Sequence, residues 1–455
     1  MMSWITTHFE IVIVVALTLV AAIIILQQRR TPQSAAAWLL FFIVLPWIAV
    51  PVFLGLGFRK RSGRFSPVPF HGTAADAAPL ATAHSLDDMF QRMGLPGAVS
   101  GQDLRLLTTP QDAHAAAMAL IADATRTLDV LFYTVTRDDV GEAFLDALAA
   151  RARDGVRVMF DRLGTGIGPH AALRALREAG AQMHFYSPLI QRPGSGHLNL
   201  RNHRKMLIAD EARVFSGGMN VGAHYLSPNP PEDHWTDLSF VLEGISVQTF
   251  GDVFRSDWGV ASKSTPDPAD SPPPATAGQA TVQLVPSGPD VEEDPLHDGL
   301  VRALHLAEER IWIVTPYFVP TEPLGDALSI AARRGVDVRI MVPARSNQRV
   351  ADLARGGYLR ELDRVGAKIL YYQPRMIHAK AGIIDGVAYV GSANFDVRSM
   401  LLNFETTLFV YDTASVADLS EWYLALVQDC TSGVRPSGVP RRVVEGVFRL
   451  GAPVL

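Results

Sequence analysis

The amino-acid sequence predicts an α/β protein with two similar lobes, each a mixed β-sheet flanked by helices, and a site between them. Three observations support this prediction. Segments of strand and helix character alternate along most of the chain, the same order of segments occurs twice, and each copy ends in the same polar motif. Alternating strands and helices are typical of a sheet covered by helices on both faces, and a long repeat indicates a duplicated unit. We therefore expect two lobes related by a pseudo-two-fold axis, with the site on the axis.

The repeated segments can be followed in order along the chain. In each repeat, an apolar strand is followed by a helix with apolar residues at helical spacing, a glycine that ends this helix, and a further strand. A second helix and strand come next, and then the polar motif. The corresponding segments are 128–135 (LDVLFYTV) and 311–319 (IWIVTPYFV), 147–160 (ALAARARDGVRVMF) and 330–342 (IAARRGVDVRIMV), and 178–186 (EAGAQMHFY) and 364–372 (RVGAKILYY).

Each repeat closes with a motif of four polar residues. A His, a Lys and an Asp stand at positions i, i+2 and i+7, and an Asn follows the His by sixteen or seventeen residues. The two sets are His203, Lys205, Asp210 and Asn220, and His378, Lys380, Asp385 and Asn394. Because residues i and i+2 of a strand point to the same face, each His should lie beside its Lys. Two facing motifs would then surround one small volume that suits a tetrahedral phosphate.

These groups are the ones that an exchange of phosphodiesters requires. A neutral imidazole can attack phosphorus and form a covalent phosphohistidine, and a protonated imidazole can donate to the leaving oxygen and then take a proton from the incoming alcohol. Histidine has a pKa near neutrality, so both forms are available. Lysines and amides can stabilise the transferring phosphoryl group in place of a metal. The His, Asp and Glu residues show no spacing typical of metal ligands, so the sequence predicts neither a metal nor another cofactor.

Each imidazole also needs a carboxylate on its second ring nitrogen, which fixes its tautomer and orientation. By position after each motif, we expect Asp237 to serve His203 and Glu405 to serve His378. The two motifs are so alike that the residues alone leave open which His is the nucleophile.

Other residues near the motifs have less direct roles. Asp210 and Asp385 complete the catalytic motif, but we expect them to brace the motif strand and its turn rather than to act in the chemistry. Arg201 and Arg398 are candidates for a second phosphate or glycerol contact. Tyr133 ends a strand, where packing in the core is the expected role.

Composition and charge narrow the class of protein. The chain has 455 residues, 48% of them hydrophobic, and a formal net charge of −5 at pH 7. The length exceeds one ordinary domain, and the negative charge argues against a protein that coats nucleic acids. The single cysteine, Cys430, excludes an intramolecular disulfide and a cysteine metal cluster. The sequence leaves the oligomeric state open.

The hydrophobic excess lies at the N-terminus. Residues 11–26 and 35–58 are uncharged and largely apolar, and the second run is long enough to cross a hydrocarbon layer of about 30 Å. They predict a transmembrane hairpin of two helices within residues 1–64. Two alternatives stay open: a cleaved signal peptide, and a re-entrant second segment, because Pro46 and Pro51 each remove a helix hydrogen bond.

Charge predicts the orientation of this hairpin, and composition predicts the remaining boundaries. More basic residues follow the second apolar run than lie between the two runs, so the C-terminal side is expected in the cytoplasm. These residues are Arg59, Lys60, Arg61 and Arg64 after the second run, against Arg29 and Arg30 between the runs. The expected segments are a connection at 65–98, lobe 1 at 99–260, a Pro-rich linker at 261–280, lobe 2 at 281–432 and a tail at 433–455.

Both motifs resemble the signature of the phospholipase D superfamily, H-x-K-x4-D followed by G-[GS]-x-N. The whole layout is similar to that of the bacterial cardiolipin synthase branch. The stretches that carry this finer resemblance are Ala37-Trp38-Leu39-Leu40, residues 199–205 (NLRNHRK), residues 391–399 (GSANFDVRS) and Asn403-Phe404-Glu405. The resemblance covers nearly the whole chain, and the Pro-rich linker and a short first apolar run depart from it.

The resemblance implies a membrane-bound phosphatidyltransferase that converts two phosphatidylglycerol molecules to cardiolipin and glycerol through a phosphohistidine. It implies that His203 is the nucleophile and His378 the acid. Together with the charge distribution, it predicts a multi-pass protein of the bacterial inner membrane with its lobes on the cytoplasmic side and no nucleic-acid partner. A hydrolytic phospholipase D or phosphodiesterase, in which water replaces the acceptor alcohol, is the alternative. Two intact motifs disfavour a membrane scaffold with a degenerate site.

Overall fold

The computed structural model describes residues 2–27, 32–57, 65–71, 85–152, 155–166, 170–186, 200–264, 278–434 and 436–450. Several residues that support the predictions above lie outside these ranges. They are Arg29 and Arg30, the basic residues at 59–64, Asn199 of the branch-like stretch, and residues 265–277 of the Pro-rich linker.

The N-terminal apolar region forms three helices, α1 (Met2–Gln27), α2 (Pro32–Val44) and α3 (Pro46–Leu56). The second apolar run is therefore not the single helix that the hairpin prediction required, but two helices that meet at Leu45. The physical reason is Pro46, which has no N–H for the helix hydrogen bond and fits the first turn of a new helix. Among the residues described, no helix combines the length and the apolar character needed to cross a membrane.

The rest of the described chain is organised around one mixed sheet of 15 strands. The elements up to residue 262 are α4 (Ser85–Arg92), β1 (Val99–Leu107), α5 (Pro110–Asp123), β2 (Leu128–Phe132), α6 (Asp139–Ala150), β3 (Val156–Asp161), α7 (Ala171–Glu178), β4 (Gln182–Tyr186), β5 (Met206–Ala209), β6 (Arg213–Gly217), β7 (Ser239–Glu243) and α8 (Val247–Ser262).

A second set of elements follows the linker. It comprises β8 (Ala280–Ser287), α9 (Pro295–Leu306), β9 (Arg310–Val314), β10 (Phe318–Val319), α10 (Glu322–Arg333), β11 (Asp337–Pro343), α11 (Arg349–Arg364), β12 (Lys368–Tyr372), β13 (Ala381–Ile384), β14 (Val387–Gly391), β15 (Phe395–Asp396), α12 (Val397–Leu401), β16 (Glu405–Val410), α13 (Thr413–Val427), β17 (Cys430–Ser432) and α14 (Val439–Leu450).

The two halves of the sheet repeat each other. The strand order is β17-β12-β11-β9-β13-β14-β16-β8-β1-β7-β6-β5-β2-β3-β4. The run β12-β11-β9-β13-β14-β16-β8 on one side therefore corresponds to β4-β3-β2-β5-β6-β7-β1 on the other. In each half, three parallel strands adjoin antiparallel ones. The prediction of an α/β fold with a mixed sheet is confirmed.

The halves join through β1 and β8, which pair antiparallel, with Val99 opposite Val282. Antiparallel pairing of equivalent strands is the arrangement that a two-fold relation between the halves produces. Buried side chains of both halves, such as Leu242 and Leu284, belong to one apolar core cluster. The seam between β1 and β8 therefore fixes how one polar motif faces the other.

Candidate active site

The two polar motifs lie at the start of equivalent strands, β5 and β13. His203 and Lys205 immediately precede β5, and His378 and Lys380 immediately precede β13. Each strand therefore begins directly after the Lys, whereas the predicted motif strand included the His. The strands are antiparallel to β2 and β9, so both motifs lie at the edge of the sheet where β2 and β9 end.

Backbone hydrogen bonds between the halves hold the two motifs together. The His203 N–H donates to the Phe404 carbonyl at 2.9 Å, and the His378 N–H donates to the Thr236 carbonyl at 2.7 Å. Parallel bridges support both contacts; they join Asn202 to Phe404 and Ile377 to Thr236. Each motif is therefore bound to the segment that follows the other motif.

Because of these contacts, the carboxylate that follows each motif lies beside the imidazole of the other motif. Asp237 Oδ2 lies 2.6 Å from His378 Nδ1, and Glu405 Oε1 lies 3.5 Å from His203 Nδ1. The prediction that Asp237 serves His203 and Glu405 serves His378 is therefore wrong. The physical reason is the bridge pattern, because each carboxylate directly follows a residue that is paired beside the His of the opposite half. Each imidazole receives its carboxylate from the other half of the chain.

Small residues beside the carboxylates differ between the halves. A Cβ atom on Gly218 would lie 2.2 Å from Asp237 Oδ1, so only glycine leaves room for this carboxylate. Ser392 occupies the equivalent place in the second motif, and its hydroxyl donates to Glu405 Oε2 at 2.6 Å. The Asn403 amide donates to Glu405 Oε1 at 3.2 Å. The residue at the variable position of the G-[GS]-x-N signature, Gly218 or Ser392, therefore decides how the neighbouring carboxylate is held.

Both imidazoles are held neutral in the free site. Burial, together with the positive charge of Lys380, lowers the pKa of His378 to about 4. Burial also places the pKa of His203 well below its usual value, and Lys205 acts in the same direction. A bound phosphodiester would oppose these effects, because a nearby negative charge favours the imidazolium form.

The two carboxylates have different charge states at neutral pH. Burial alone would raise the pKa of Asp237, but Lys380 and His378 outweigh burial, and this pKa lies below its usual value. Burial raises the pKa of Glu405 to about 7, and Lys205 opposes only part of the increase. Asp237 is therefore ionised at neutral pH, whereas Glu405 is divided between its two protonation states.

The two lysines are buried within their own motifs. Lys205 Nζ donates to the His203 carbonyl at 2.7 Å, and Lys380 Nζ lies 2.8 Å from His378 Nδ1. Burial lowers the pKa of Lys205 and lowers that of Lys380 to about 7. Where water is excluded, opposite charges attract more strongly than they do in solution, so a bound phosphate would favour the ammonium form of both lysines.

The motif aspartates Asp210 and Asp385 lie directly after β5 and β13, at the ends of these strands away from the imidazoles. Their φ angles of 56° and 49° fall in the left-handed region, which Asp tolerates better than most residues. Each carboxylate accepts hydrogen bonds from three consecutive backbone N–H groups. These belong to Thr125, Arg126 and Thr127 for Asp210, and to Glu308, Glu309 and Arg310 for Asp385. The geometry agrees with the expected bracing role.

Asn220 and Asn394 complete the motifs with different contacts. The Asn220 side-chain oxygen accepts from the Thr134 N–H at 3.3 Å. Asn394 is buried, and its side-chain oxygen has no hydrogen-bond partner among the described residues. Because an unsatisfied buried polar atom costs free energy, the Asn394 oxygen has capacity left for a ligand.

Aromatic rings line both imidazoles. The Tyr133 ring centre lies 4.1 Å from that of His203, and the rings of Trp235 and Tyr225 lie 5.0 and 5.4 Å from that of His378. The assignment of Tyr133 to core packing is wrong, because the residue directly follows β2 and lies at the edge of the sheet that carries the motifs. The position of Tyr133 directly after a parallel strand could have indicated its place at the site, since ligand sites of α/β sheets lie beyond the carboxyl ends of the strands.

The two candidate arginines have different surroundings. Arg201 Nη1 lies 3.4 Å from the buried carboxylate of Asp161. Arg398 donates to Asn403 at 3.4 Å, and its charge contributes to the low pKa of His203. Of the two, Arg398 is the one connected to an imidazole, because Asn403 Nδ2 lies 3.5 Å from His203 Nδ1. Within the described ranges, no group of three or more His, Cys, Asp or Glu residues is placed to hold a metal ion.

Two His-Lys motifs that face each other, each at the start of a strand in a mixed α/β sheet, define the phospholipase D superfamily. A solved structure of phosphatidylserine synthase from Haemophilus influenzae has a similar fold. The TM-score is 0.64, and the match covers 82% of this chain and 100% of that one at 14% sequence identity.

Sequence comparison narrows this class to a family. Residues 117–258 and 300–427 match the family model described as cardiolipin synthase, PLD-like domain. Cardiolipin synthase A of Pseudomonas aeruginosa is 35% identical over 371 residues, which are 80% of this chain and 74% of that protein. The major cardiolipin synthase of Bacillus subtilis is 34% identical over 362 residues, which are 77% and 75% of the two chains. The chain belongs to the cardiolipin synthase family of proteins with PLD-like domains.

Proposed function

We propose that this protein is a cardiolipin synthase, which transfers a phosphatidyl group from one phosphatidylglycerol molecule to another and releases glycerol. The observation that carries the proposal is a complete pair of imidazole–carboxylate couples in a chain of the cardiolipin synthase family. Two imidazoles allow the transfer to proceed in two steps, with a phosphatidyl-histidine between them.

His203 acts as the nucleophile in this proposal. Its side chain is 23% exposed against 10% for His378, so it is the more accessible ring. Its low pKa leaves a free electron pair on the ring nitrogen that faces away from Glu405. Attack by this nitrogen forms a P–N bond and breaks the bond from phosphorus to the glycerol oxygen. The partly neutral Glu405 stabilises the resulting intermediate only weakly, so the intermediate stays reactive toward the second alcohol.

His378 acts as the proton donor and then as the acceptor. The ionised Asp237, at 2.6 Å, stabilises positive charge on this ring. The pKa of His378 in the free site is about 4, so the negative charge of a bound phosphodiester is needed to favour its protonated form. The proton passes to the departing glycerol oxygen. The ring then takes a proton from the hydroxyl of the second phosphatidylglycerol as that oxygen attacks phosphorus.

Lys205, Lys380 and the amide N–H groups of Asn220 and Asn394 donate to the phosphoryl oxygens in this proposal. Their charge and hydrogen bonds stabilise the negative charge on these oxygens in both transition states, first as the phosphatidyl group passes from glycerol to His203 and then as it passes from His203 to the second alcohol. The buried ammonium groups need little reorganisation during the reaction, because the backbone of each motif already orients them.

Product analysis tests the proposed reaction. Purified protein in mixed micelles with phosphatidylglycerol should form cardiolipin and free glycerol in equal amounts, and added glycerol should drive the reaction backwards. Lipid mass analysis measures both effects, and a His203→Ala variant provides the background. Phosphatidic acid as the main product under both conditions would contradict the synthase proposal and favour the hydrolytic phospholipase D.

We also propose that α1, α2 and α3 attach the protein to the bacterial inner membrane. Large apolar side chains on these helices are exposed, including Val12 at 64%, Leu26 at 70% and Ile43 at 78%. Exposed apolar surface of this extent is typical of a surface that contacts lipid or another protein. Placement of the lobes in the cytoplasm depends on the charge distribution of the sequence. Membranes washed with carbonate should retain the full-length protein, and its release would contradict this attachment.

A further inference from the structure

The last helix, α14, turns its apolar side away from the protein. Val439, Val443 and Val447 recur every four residues and so lie along one face. Their exposed fractions are 67%, 61% and 61%, and the adjacent Val444 is 44% exposed. A surface helix in water usually places its apolar stripe against the core. Helix α14 has the opposite arrangement.

The polar side of α14 binds the protein. Glu445 is only 2% exposed; it forms an ion pair with Arg360 of α11 and accepts from Arg441 of its own helix at 2.9 Å. Phe448 packs on the same side, in a cluster with Ala354. These contacts fix the rotation of the helix about its axis. The valines cannot turn inward unless the buried carboxylate of Glu445 loses its partners.

The exposed side of α14 carries positive charge. Arg442, which adjoins Val443, is exposed, and the only carboxylate of the helix, Glu445, is buried. Arg441 and Arg449 are also exposed, but Arg441 donates to Glu445 and Arg449 lies over the ring of Tyr358, so both reach toward the protein. A row of valines beside an arginine is complementary to the surface of an anionic bilayer. The valines can enter the acyl boundary while the Arg442 guanidinium meets the headgroups.

Helix α14 also lies near the candidate active site. Phe448 belongs to one apolar cluster with Val319 of β10. Strand β10 pairs with β15, where Val319 is opposite Asp396. Asn394 of the second motif directly precedes β15. A contact between α14 and a bilayer would therefore hold this edge of the sheet close to lipid molecules.

We propose that α14 is a second membrane-contacting element, which docks on the surface of an anionic bilayer. It differs from α1, α2 and α3 in that its attachment depends on charge and lies at the active-site edge. The proposal goes beyond the reaction proposed above and depends on it only in that the substrate is a membrane lipid.

Fluorescence quenching in the full-length protein tests this contact. In a Cys430→Ser background, which removes the only native cysteine, Val443→Cys carries a polarity-sensitive fluorophore. The protein is reconstituted into vesicles whose acyl chains are brominated. Phosphatidylcholine vesicles are compared with vesicles that also contain phosphatidylserine, which is anionic but is not the proposed substrate.

Leu306→Cys is the matched control for this experiment. Leu306 ends α9 and is 51% exposed. It lies close to the residues that bind Asp385, at the end of β13 opposite to His378. A probe at this position has similar exposure but lies at the other edge of the sheet.

We expect quenching at position 443 in the vesicles that contain phosphatidylserine, about fivefold stronger than in phosphatidylcholine alone, because one basic residue near an anionic surface, here Arg442, contributes roughly this factor. Quenching at position 306 should be weak in both. Equal quenching at 443 in both vesicles, or none in either, would overturn the proposal. A blue shift without quenching would also overturn it and indicate that protein covers the helix. A His378→Ala variant should keep the quenching, so failure of the proposed reaction can be distinguished from failure of this contact.

Discussion

The two imidazole–carboxylate couples have the same backbone scaffold but differ in chemistry. His378 has a close, ionised partner in Asp237, which glycine at position 218 allows to approach. His203 has a more distant partner in Glu405, whose pKa is raised to about 7 by burial. The comparison indicates that duplication placed equivalent groups around one site. A few differences between the repeats then gave one couple a better-stabilised positive charge than the other.

Removal of either imidazole should have the largest effect. His203→Ala and His378→Ala should each lower turnover of phosphatidylglycerol by 10²–10⁴-fold or more, roughly the contribution of a nucleophile or general acid. The two variants should differ with a phosphodiester whose leaving group is a weakly basic phenolate, which needs no proton. His378→Ala should then regain cleavage and His203→Ala should not. The opposite result would exchange the two roles, and unchanged thermal melting would show that both variants fold.

Replacement of the carboxylates by amides should have the next largest effect on kcat and should show that the two imidazole–carboxylate couples differ. Asp237→Asn should lower kcat by roughly 100-fold, because His378 loses the charge that stabilises its protonated form. Glu405→Gln should lower kcat by about tenfold or less, since Glu405 is already partly neutral. Steady-state kinetics of both variants measure the difference. Equal losses would show that the two carboxylates play equivalent parts.

The small residues beside the carboxylates provide a finer comparison. Gly218→Ala should lower kcat by about tenfold or more, since the added Cβ would displace Asp237 from its contact with His378. Ser392→Ala removes one hydrogen bond to Glu405, which contributes about 1 kcal/mol, and should have a smaller effect. Crystal structures of the two variants should show that Asp237 has moved in Gly218→Ala. A fully active Gly218→Ala variant would contradict the steric argument.

The pH dependence of stability should differ between the two carboxylates. The pKa of Glu405 is raised to about 7 in the folded protein from an ordinary value of 4.5, so the folded state binds this proton more tightly. Its contribution to stability is therefore lost as pH rises from about 4.5 to about 7. The melting temperature of Glu405→Gln relative to the unmodified protein should rise by a few degrees between pH 5 and pH 7.

Asp237→Asn is the matched control for this pH dependence. The pKa of Asp237 lies below its ordinary value of 3.8, so its contribution is complete above that value and is lost only at lower pH. The difference in melting temperature between Asp237→Asn and the unmodified protein should therefore change less from pH 5 to pH 7 than that of Glu405→Gln. The change that remains comes from Lys380, whose pKa of about 7 is supported by the charge of Asp237. A similar slope for both variants would contradict the assignment of different charge states.

The sequence predicted the mixed α/β fold and the facing of the two motifs, but it could not predict how the carboxylates pair. Equivalent positions in a repeat show that each carboxylate follows a motif. They do not show whether it serves that motif or the opposite one. The answer depends on the bridges from Asn202 to Phe404 and from Ile377 to Thr236, which join residues far apart in the chain.

Two other differences have local causes. The apolar run at 35–58 was long enough for one helix, but Pro46 starts a new helix, so length alone was not sufficient. Tyr133 has the apolar character of a core residue, yet it lies against His203 because the strand ends there. In both cases the position of the residue relative to the end of a helix or strand decided its role, and the residue type alone does not show that position.

The exchange of carboxylates between the halves makes each half chemically incomplete. A polypeptide with only the first repeat would hold His203 without Glu405, and one with only the second would hold His378 without Asp237. In the proposed mechanism, the smallest catalytic unit is therefore a pair of repeats. A single-repeat ancestor with this geometry could have worked only as a homodimer, and the covalent joining of two copies allowed each carboxylate to change independently of its counterpart.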